Sequence, residues 1–226
     1  MKRILLATAA LLAATQAQAL QTLEYGWEDG TGTILGSYGN LVDATNVSGA
    51  QSGSTTVAGA HDGDAFLHVA EAPHDGTPQA YLAFVTGLSA GDVVSASFWG
   101  YDDTPGASPS LRIWAHYADA SDIDAYAGSA GGNSTYTDGS GWSEVGYSWT
   151  MDGSADGLVI EARLYSTPAS GAAEYTDFWI DDLSVTAPDH ARIQFAAAPV
   201  PEPHSYALML AGLGLIGGVA HRRLGH

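Results

Sequence analysis

The 226-residue chain has no cysteine. Disulfides, thiol nucleophiles and cysteine-held metals are therefore excluded, and a folded domain must rest on its apolar core. Positive charge is nearly as scarce: seven Lys and Arg face 25 Asp and Glu. The seven are Lys2, Arg3, Arg112, Arg163, Arg192, Arg222 and Arg223. Between Leu20 and Pro199 there are three basic against 24 acidic residues, a balance of −21. Such a surface repels a phosphate backbone, so nucleic acid is excluded as a partner. Two readings fit the acidity, cation binding and plain solvation of the surface. Also missing are a G-x-S-x-G elbow, an H-E-x-x-H helix and a Gly-rich phosphate loop between strand and helix. No stretch from Leu20 to Pro199 carries the apolar period of an amphipathic helix.

The two ends hold the apolar runs. Lys2 and Arg3 precede 11 apolar residues, Ile4 to Ala14, and Ala17-Gln18-Ala19 follows with small residues at both flanks. This is the pattern of a secretory signal peptide spanning 1–19, cut after Ala19. A run of 11 is far short of the roughly 20 residues that span a bilayer. At the other end, Val200-Pro201-Glu202-Pro203 is held extended by two prolines, which suits the grip of a processing enzyme. Sixteen uncharged residues, Ser205 to Ala220, follow and predict a helix over about 205–220. Such a helix is about 24 Å long, just short of the hydrocarbon core. His221-Arg222-Arg223 closes it and places the C-terminus in the cytoplasm.

The order Val200-Pro201-Glu202-Pro203, Leu210-Ala211-Gly212-Leu213-Gly214-Leu215 and Arg222-Arg223 resembles a PEP-CTERM sorting tail, covering 200–226. The resemblance implies export by a Gram-negative bacterium that makes exopolysaccharide. It also implies transient anchoring in the inner membrane and processing by an exosortase-like enzyme. The destination would be the cell surface or extracellular matrix.

Residues 20–199 read as one all-β domain. Gly, Ser, Thr, Asp and Asn punctuate short runs of strand chemistry. Strands are expected at Ala65–Ala70, Gln79–Val85, Asp92–Tyr101, Ser110–Ala118, Trp142–Met151, Gly157–Ser166 and Glu174–Thr186. Further pieces are expected near Leu23–Glu28 and Leu41–Val47, while Ser121–Gly141 reads as a long loop. Many short antiparallel strands predict a β-sandwich of jelly-roll type, flanked by the signal peptide and the sorting helix.

Alternation gives each strand an aliphatic and a mixed face. Val94, Ala96 and Phe98 oppose Trp99 and Tyr101. Leu111, Ile113 and Ala115 oppose Arg112, Trp114 and His116. Leu158, Ile160, Ala162 and Leu164 oppose Glu161, Arg163 and Tyr165, and Phe178 and Ile180 oppose Trp179 and Asp181. Aromatic rings beside charged groups suit a sugar, whose C–H face stacks while its hydroxyls hydrogen-bond. Trp99, Tyr101, Arg112, Trp114, His116 and Trp179 are the candidate glycan-binding residues. The other reading of the same aromatics is a second layer of core.

Three segments are similar to the carbohydrate-binding-module jelly rolls of the galactose-binding-like group. They are His61-Asp62-Gly63-Asp64-Ala65-Phe66-Leu67, the run from Leu88-Ser89-Ala90-Gly91-Asp92 into Phe98, and Phe178-Trp179-Ile180-Asp181-Asp182-Leu183-Ser184-Val185. That resemblance implies a structural Ca²⁺ tying the first strand to the last. Its matching ligands are Glu28 and Asp182, with Asp62 and Asp64 nearby. Turn acids would look the same in sequence. Asp152-Gly153-Ser154-Ala155-Asp156-Gly157 opens like an EF-hand loop, but its twelfth position is Arg163, so it reads as a polar hairpin turn.

The leading reading is thus an exported, non-catalytic jelly roll that binds glycan. A structural matrix protein without specific ligand is the alternative. A glycoside-active enzyme built on a pair such as Glu144 and Glu161 ranks third.

Overall fold

Side chains alternate along a strand, so a chain whose strands each carry one aliphatic face buries those faces by stacking two sheets. The computed structural model describes residues 19–30, 32–53, 55–72, 77–102, 110–133, 141–165 and 176–196, with no helix among them. Most of the signal segment, Ala17 included, lies outside the described residues. So does the whole sorting tail, with Val200, Pro201, Glu202, Pro203, Arg222, Arg223 and the helix expected at 205–220.

In chain order the strands are β1 (Leu20–Tyr25), β2 (Gly36–Tyr38), β3 (Leu41–Ser48), β4 (Gln51–Ser52), β5 (Thr56–Val57), β6 (Ala65–Glu71) and β7 (Gln79–Thr86). They continue as β8 (Val93–Asp102), β9 (Ser110–Asp119), β10 (Asp122–Gly132), β11 (Gly141–Thr150), β12 (Gly157–Tyr165), β13 (Thr176–Pro188) and β14 (Arg192–Phe195). Sheet A has the order β11-β8-β13-β6-β3, with β1 also on β13. Sheet B has the order β10-β9-β12-β7-β14, with β2 also on β7. Every pairing is antiparallel. From β6 to β9, and again from β11 to β14, successive strands alternate between the sheets, the habit of a jelly roll.

The expected aliphatic faces meet in the middle. Leu67, Phe98 and Ile180 from sheet A and Ile113, Ile160 and Leu164 from sheet B are fully buried. Each such side chain contributes about 1.5–3 kcal/mol by leaving water. β13 organises sheet A. It pairs with β6 through Thr176–Ile180 and with β1 through Leu183–Pro188, keeping β8 along its other side. The change of partner falls at a bulge between Asp181 and Ser184, and Asp182 there takes a φ of 46°. Aspartate tolerates this left-handed conformation better than most residues.

Three local expectations are corrected. Ser121–Gly141 is not one long loop, because 122–132 form β10, the edge of sheet B. Its small residues let it lie close on β9: a Cβ at Gly132 would sit 2.3 Å from the Ile113 carbonyl oxygen. Asp152–Gly157 is not a hairpin, since it links β11 of sheet A to β12 of sheet B. The first strand also ends at Tyr25 rather than running to Glu28. Trp27 adopts a φ of 60° and turns the chain.

Candidate functional site

The mixed faces point outward from the sandwich, one from each sheet. The six candidate glycan-binding residues are therefore split. Trp99, Tyr101 and Trp179 belong to sheet A, whereas Arg112, Trp114 and His116 belong to sheet B. They do not form one site.

On sheet A one end of the outer face is covered. β4 and β5 lie over it there, and Val57 packs on Phe66 and Trp179 in a second small core. Trp179 is 3% exposed, so its assignment to sugar binding is corrected. Tyr101 is half-buried against the same cluster. Trp99 carries the His61 ring stacked on it at 3.7 Å and 13°. His68, also on this face, hydrogen-bonds Asp177 through Nε2 at 2.6 Å.

Beside Trp99 lies a depression of about 500 Å³ lined by Glu24, His61, Asp62, Glu144 and Asp182, among others. Of the residues expected to bind Ca²⁺ it is lined by Asp62 and Asp182. Glu28 and Asp182 turn carboxylate oxygens to hydrogen-bonding groups within the chain. Glu28 Oε1 accepts from the backbone N–H of Asp64 and of Ala65, both at 2.9 Å. Asp182 Oδ2 pairs with His61 Nδ1 at 2.6 Å. Asp62 offers its N–H to Asp181 Oδ2 at 3.3 Å. Among the described residues no three His, Asp or Glu side chains converge on a metal position. Ca²⁺ takes six to eight oxygens, and Glu28, Asp62, Asp64 and Asp182 do not fit it as a set. The central acid here is instead Asp181, fully buried and accepting from the N–H groups of His61, Asp62 and Asp182. Burial pushes its carboxyl up to about 6.

On sheet B the outer face is built in register across the strands. One row reads Arg112, Arg163, Gln79 and Tyr38 across β9, β12, β7 and β2. The next reads Trp114, Glu161, Tyr81 and Gly36 over the same strands. Glycine at 36 lets β2 pass under the Tyr81 ring, since a Cβ there would sit 2.9 Å from it. Tyr38, Gln79, Tyr81, Asp124, Tyr126 and Arg163 line a groove of about 580 Å³. Tyr38 and Tyr126 stand on opposite edges of the sheet and are 66% and 65% exposed.

Beneath the groove, polar groups lock one another. Glu161 is fully buried, with one carboxylate oxygen on His116 Nδ1 and the other accepting from Arg163 Nε at 3.0 Å. Gln79, with its amide nitrogen turned toward Glu161, donates to Oε2 at 3.2 Å and accepts from Arg163 Nη2 at 3.3 Å. Buried polar groups paired in this way hold fixed positions. Burial, and then the Glu161 charge, push the Tyr81 hydroxyl up to about 12, so it remains a donor at neutral pH. His116 is 1% exposed and serves under the groove, between Glu161 and the Tyr81 and Tyr126 rings. A ring so buried is not open to the direct sugar contact expected of it. Trp114 has the Arg163 guanidinium 4.6 Å above its ring centre, so that ring face is occupied.

Sequence reading missed Tyr38, Gln79, Tyr81, Asp124 and Tyr126. Tyr126 sat inside the stretch read as a loop, and Tyr38 lies on a strand of three residues. Glu161 and Arg163 were visible as the mixed face of their strand. The carboxylate pair Glu144 and Glu161 occupies opposite outer faces, so the two do not flank one bond.

This geometry defines a two-sheet antiparallel β-sandwich with one aromatic-edged, polar-floored face. Residues 199–223 match the PEP-CTERM protein-sorting motif, which marks an exported protein processed by an exosortase. Among solved structures, the chain is similar to the CBM22-1 xylan-binding domain from Paenibacillus barcinonensis Xyn10C. The identity is 16%, the match covers 76% of this chain and 97% of that one, and the TM-score is 0.46. It is also similar to the CBM22-1-CBM22-2 tandem domain of the same protein, at 16% identity, 84% and 50% coverage and TM-score 0.48. A third similarity is to a structure described as "CBM4 structure and function", at 17% identity, 74% and 86% coverage and TM-score 0.39. No curated protein matches the chain.

Proposed function

We propose that the sandwich is a non-catalytic glycan-binding module, exported to the surface or matrix of a Gram-negative cell, with the outer face of sheet B as its binding face. One observation carries this reading. Two exposed tyrosines, Tyr38 and Tyr126, border a groove also lined by Gln79, Tyr81, Asp124 and Arg163, with Gln79 and Arg163 held in place by Glu161. Exposed rings at both margins suit stacking on pyranose faces, and the floor suits their hydroxyls. The polysaccharide through which the protein is retained after sorting would be its ligand.

Affinity electrophoresis of the mature protein in gels loaded with different polysaccharides tests the reading. Retardation by at least one polymer is expected. Tyr38→Ala with Tyr126→Ala should abolish that retardation while leaving the unfolding free energy within about 0.5 kcal/mol of the parent, as surface substitutions do. If no polysaccharide slows the protein, the glycan reading is lost and a structural matrix role takes its place.

A further inference from the structure

We infer that β11 is a docking edge for a second copy of this chain, the two copies joining their A sheets through an antiparallel β11–β11 pair. A sheet edge presents a row of backbone donors and acceptors, and folded proteins blunt such rows with short strands, bulges, charge or proline. Among the described residues the other edge strands carry these devices. β10 breaks register three times and holds Asp122 and Asp124. β3 breaks register between Leu41 and Asp43. β1, β2 and β14 have six residues or fewer. β11 differs from all of them. Its ten residues pair with β8 in unbroken register, and among the described residues β8 is its only strand partner. It contains no proline and a single charge, that of Glu144.

The sequence of β11 suits a copy of itself. Directly paired residues of antiparallel strands share a face, so a two-fold pairing sets outer residues against outer and inner against inner. Centred on Gly146, it sets Val145 opposite Tyr147 of the second copy, Trp142 opposite Thr150, and Glu144 opposite Ser148. Val145 with Tyr147 is a β-branched and aromatic pair, the kind that stabilises neighbouring strands. Tyr147 is 41% exposed and has surface left to cover. Glycine on the axis leaves room where a side chain would meet its own copy, and the one acid avoids its copy. Net charge makes this last point decisive. With 24 acids against three arginines from Leu20 to Pro199, two copies repel, so a contact must lie where acids do not meet. The two-fold axis runs normal to the sheets, so both copies turn the outer face of sheet B to the same side. On the glycan reading, the pair then grips one polymer at two places.

Sedimentation of the mature protein over a range of concentrations should show a monomer–dimer equilibrium that tightens as salt rises and screens the acids. Ser148 is exposed and bonds only the exposed Ser95 hydroxyl, at 2.7 Å, so it can be changed without disturbing the fold. Ser148→Glu sets like charges opposite one another at two symmetric positions and should weaken the dimer about fivefold. Ser148→Lys sets opposite charges there and should strengthen it by about the same factor. Glu144→Lys combined with Ser148→Glu restores opposite charges and should recover the dimer. Amide exchange within 142–150 should slow as protein concentration rises. A protein that stays monomeric at every concentration and salt overturns the inference. So does a dimer that is indifferent to residue 148 or leaves exchange in 142–150 unchanged. None of these results bears on the glycan reading, which polysaccharide retardation tests separately.

Discussion

Asp181 shows what one buried acid does to a domain without disulfides. Its carboxyl, ordinarily near 3.8, is raised to about 6 chiefly by burial. The folded state therefore holds a proton that the unfolded state releases, and stability falls as pH rises between those two values. Above about pH 6 the loss levels off, at most on the order of 3 kcal/mol. Asp181→Asn should flatten this slope, which urea unfolding at about pH 4.5 and pH 7.5 would show as a smaller difference than in the parent. At Gly132 the constraint is steric. A Cβ there would press on the Ile113 carbonyl oxygen at 2.3 Å and the Trp114 Cα at 2.6 Å, both backbone atoms that cannot rotate away. Gly132→Ala should cost about 1–3 kcal/mol in chemical denaturation and push β10 off its neighbour.

At the scale of elements, legibility follows from side-chain pattern. The strands β6, β7, β8, β9, β11, β12 and β13 were readable because large apolar residues alternate with polar or aromatic ones, as in Leu111-Arg112-Ile113-Trp114. β10 was not. Its run Asp122–Gly132 is mostly Ala, Gly, Ser and Asp, and it survives as an edge strand through backbone bonds to β9 rather than through buried side chains. β2, β4 and β5 are two or three residues long, too short to carry a period. The β4–β5 cover was equally silent in sequence, and it decides the fate of Trp179. Sequence put that ring on a mixed outer face, which is where it lies, but a strand pair from elsewhere in the chain buries it. Trp179→Ala should therefore cost about 3–5 kcal/mol of stability and leave affinity for any glycan unchanged, with unfolding curves and gel retardation measured on the same samples.

For the whole molecule, the decisive fact is which sheet each strand joins. The mixed faces of β8 and β9 look alike in sequence and end up on opposite sides of the sandwich. No local signal distinguishes them, because sheet membership is set by long-range pairing. Hence the six candidate residues, alike in sequence, are divided between two faces. A paired experiment exposes the asymmetry. Trp99→Ala on sheet A should leave gel retardation unaltered, whereas Tyr126→Ala on sheet B should weaken it by about tenfold, in line with the loss of one stacked ring. The reverse result would move the binding face to sheet A.

The last strand gives the molecule a direction. β14 ends at Phe195, hydrogen-bonded along β7 at the edge of the same sheet that carries the groove. Only Ala196 to Pro199 separate it from Val200, where the Val-Pro-Glu-Pro sequence begins. Four residues reach at most about 14 Å when fully drawn out. Whatever recognises the sorting motif at 199–223 must therefore work within that short reach of the sandwich.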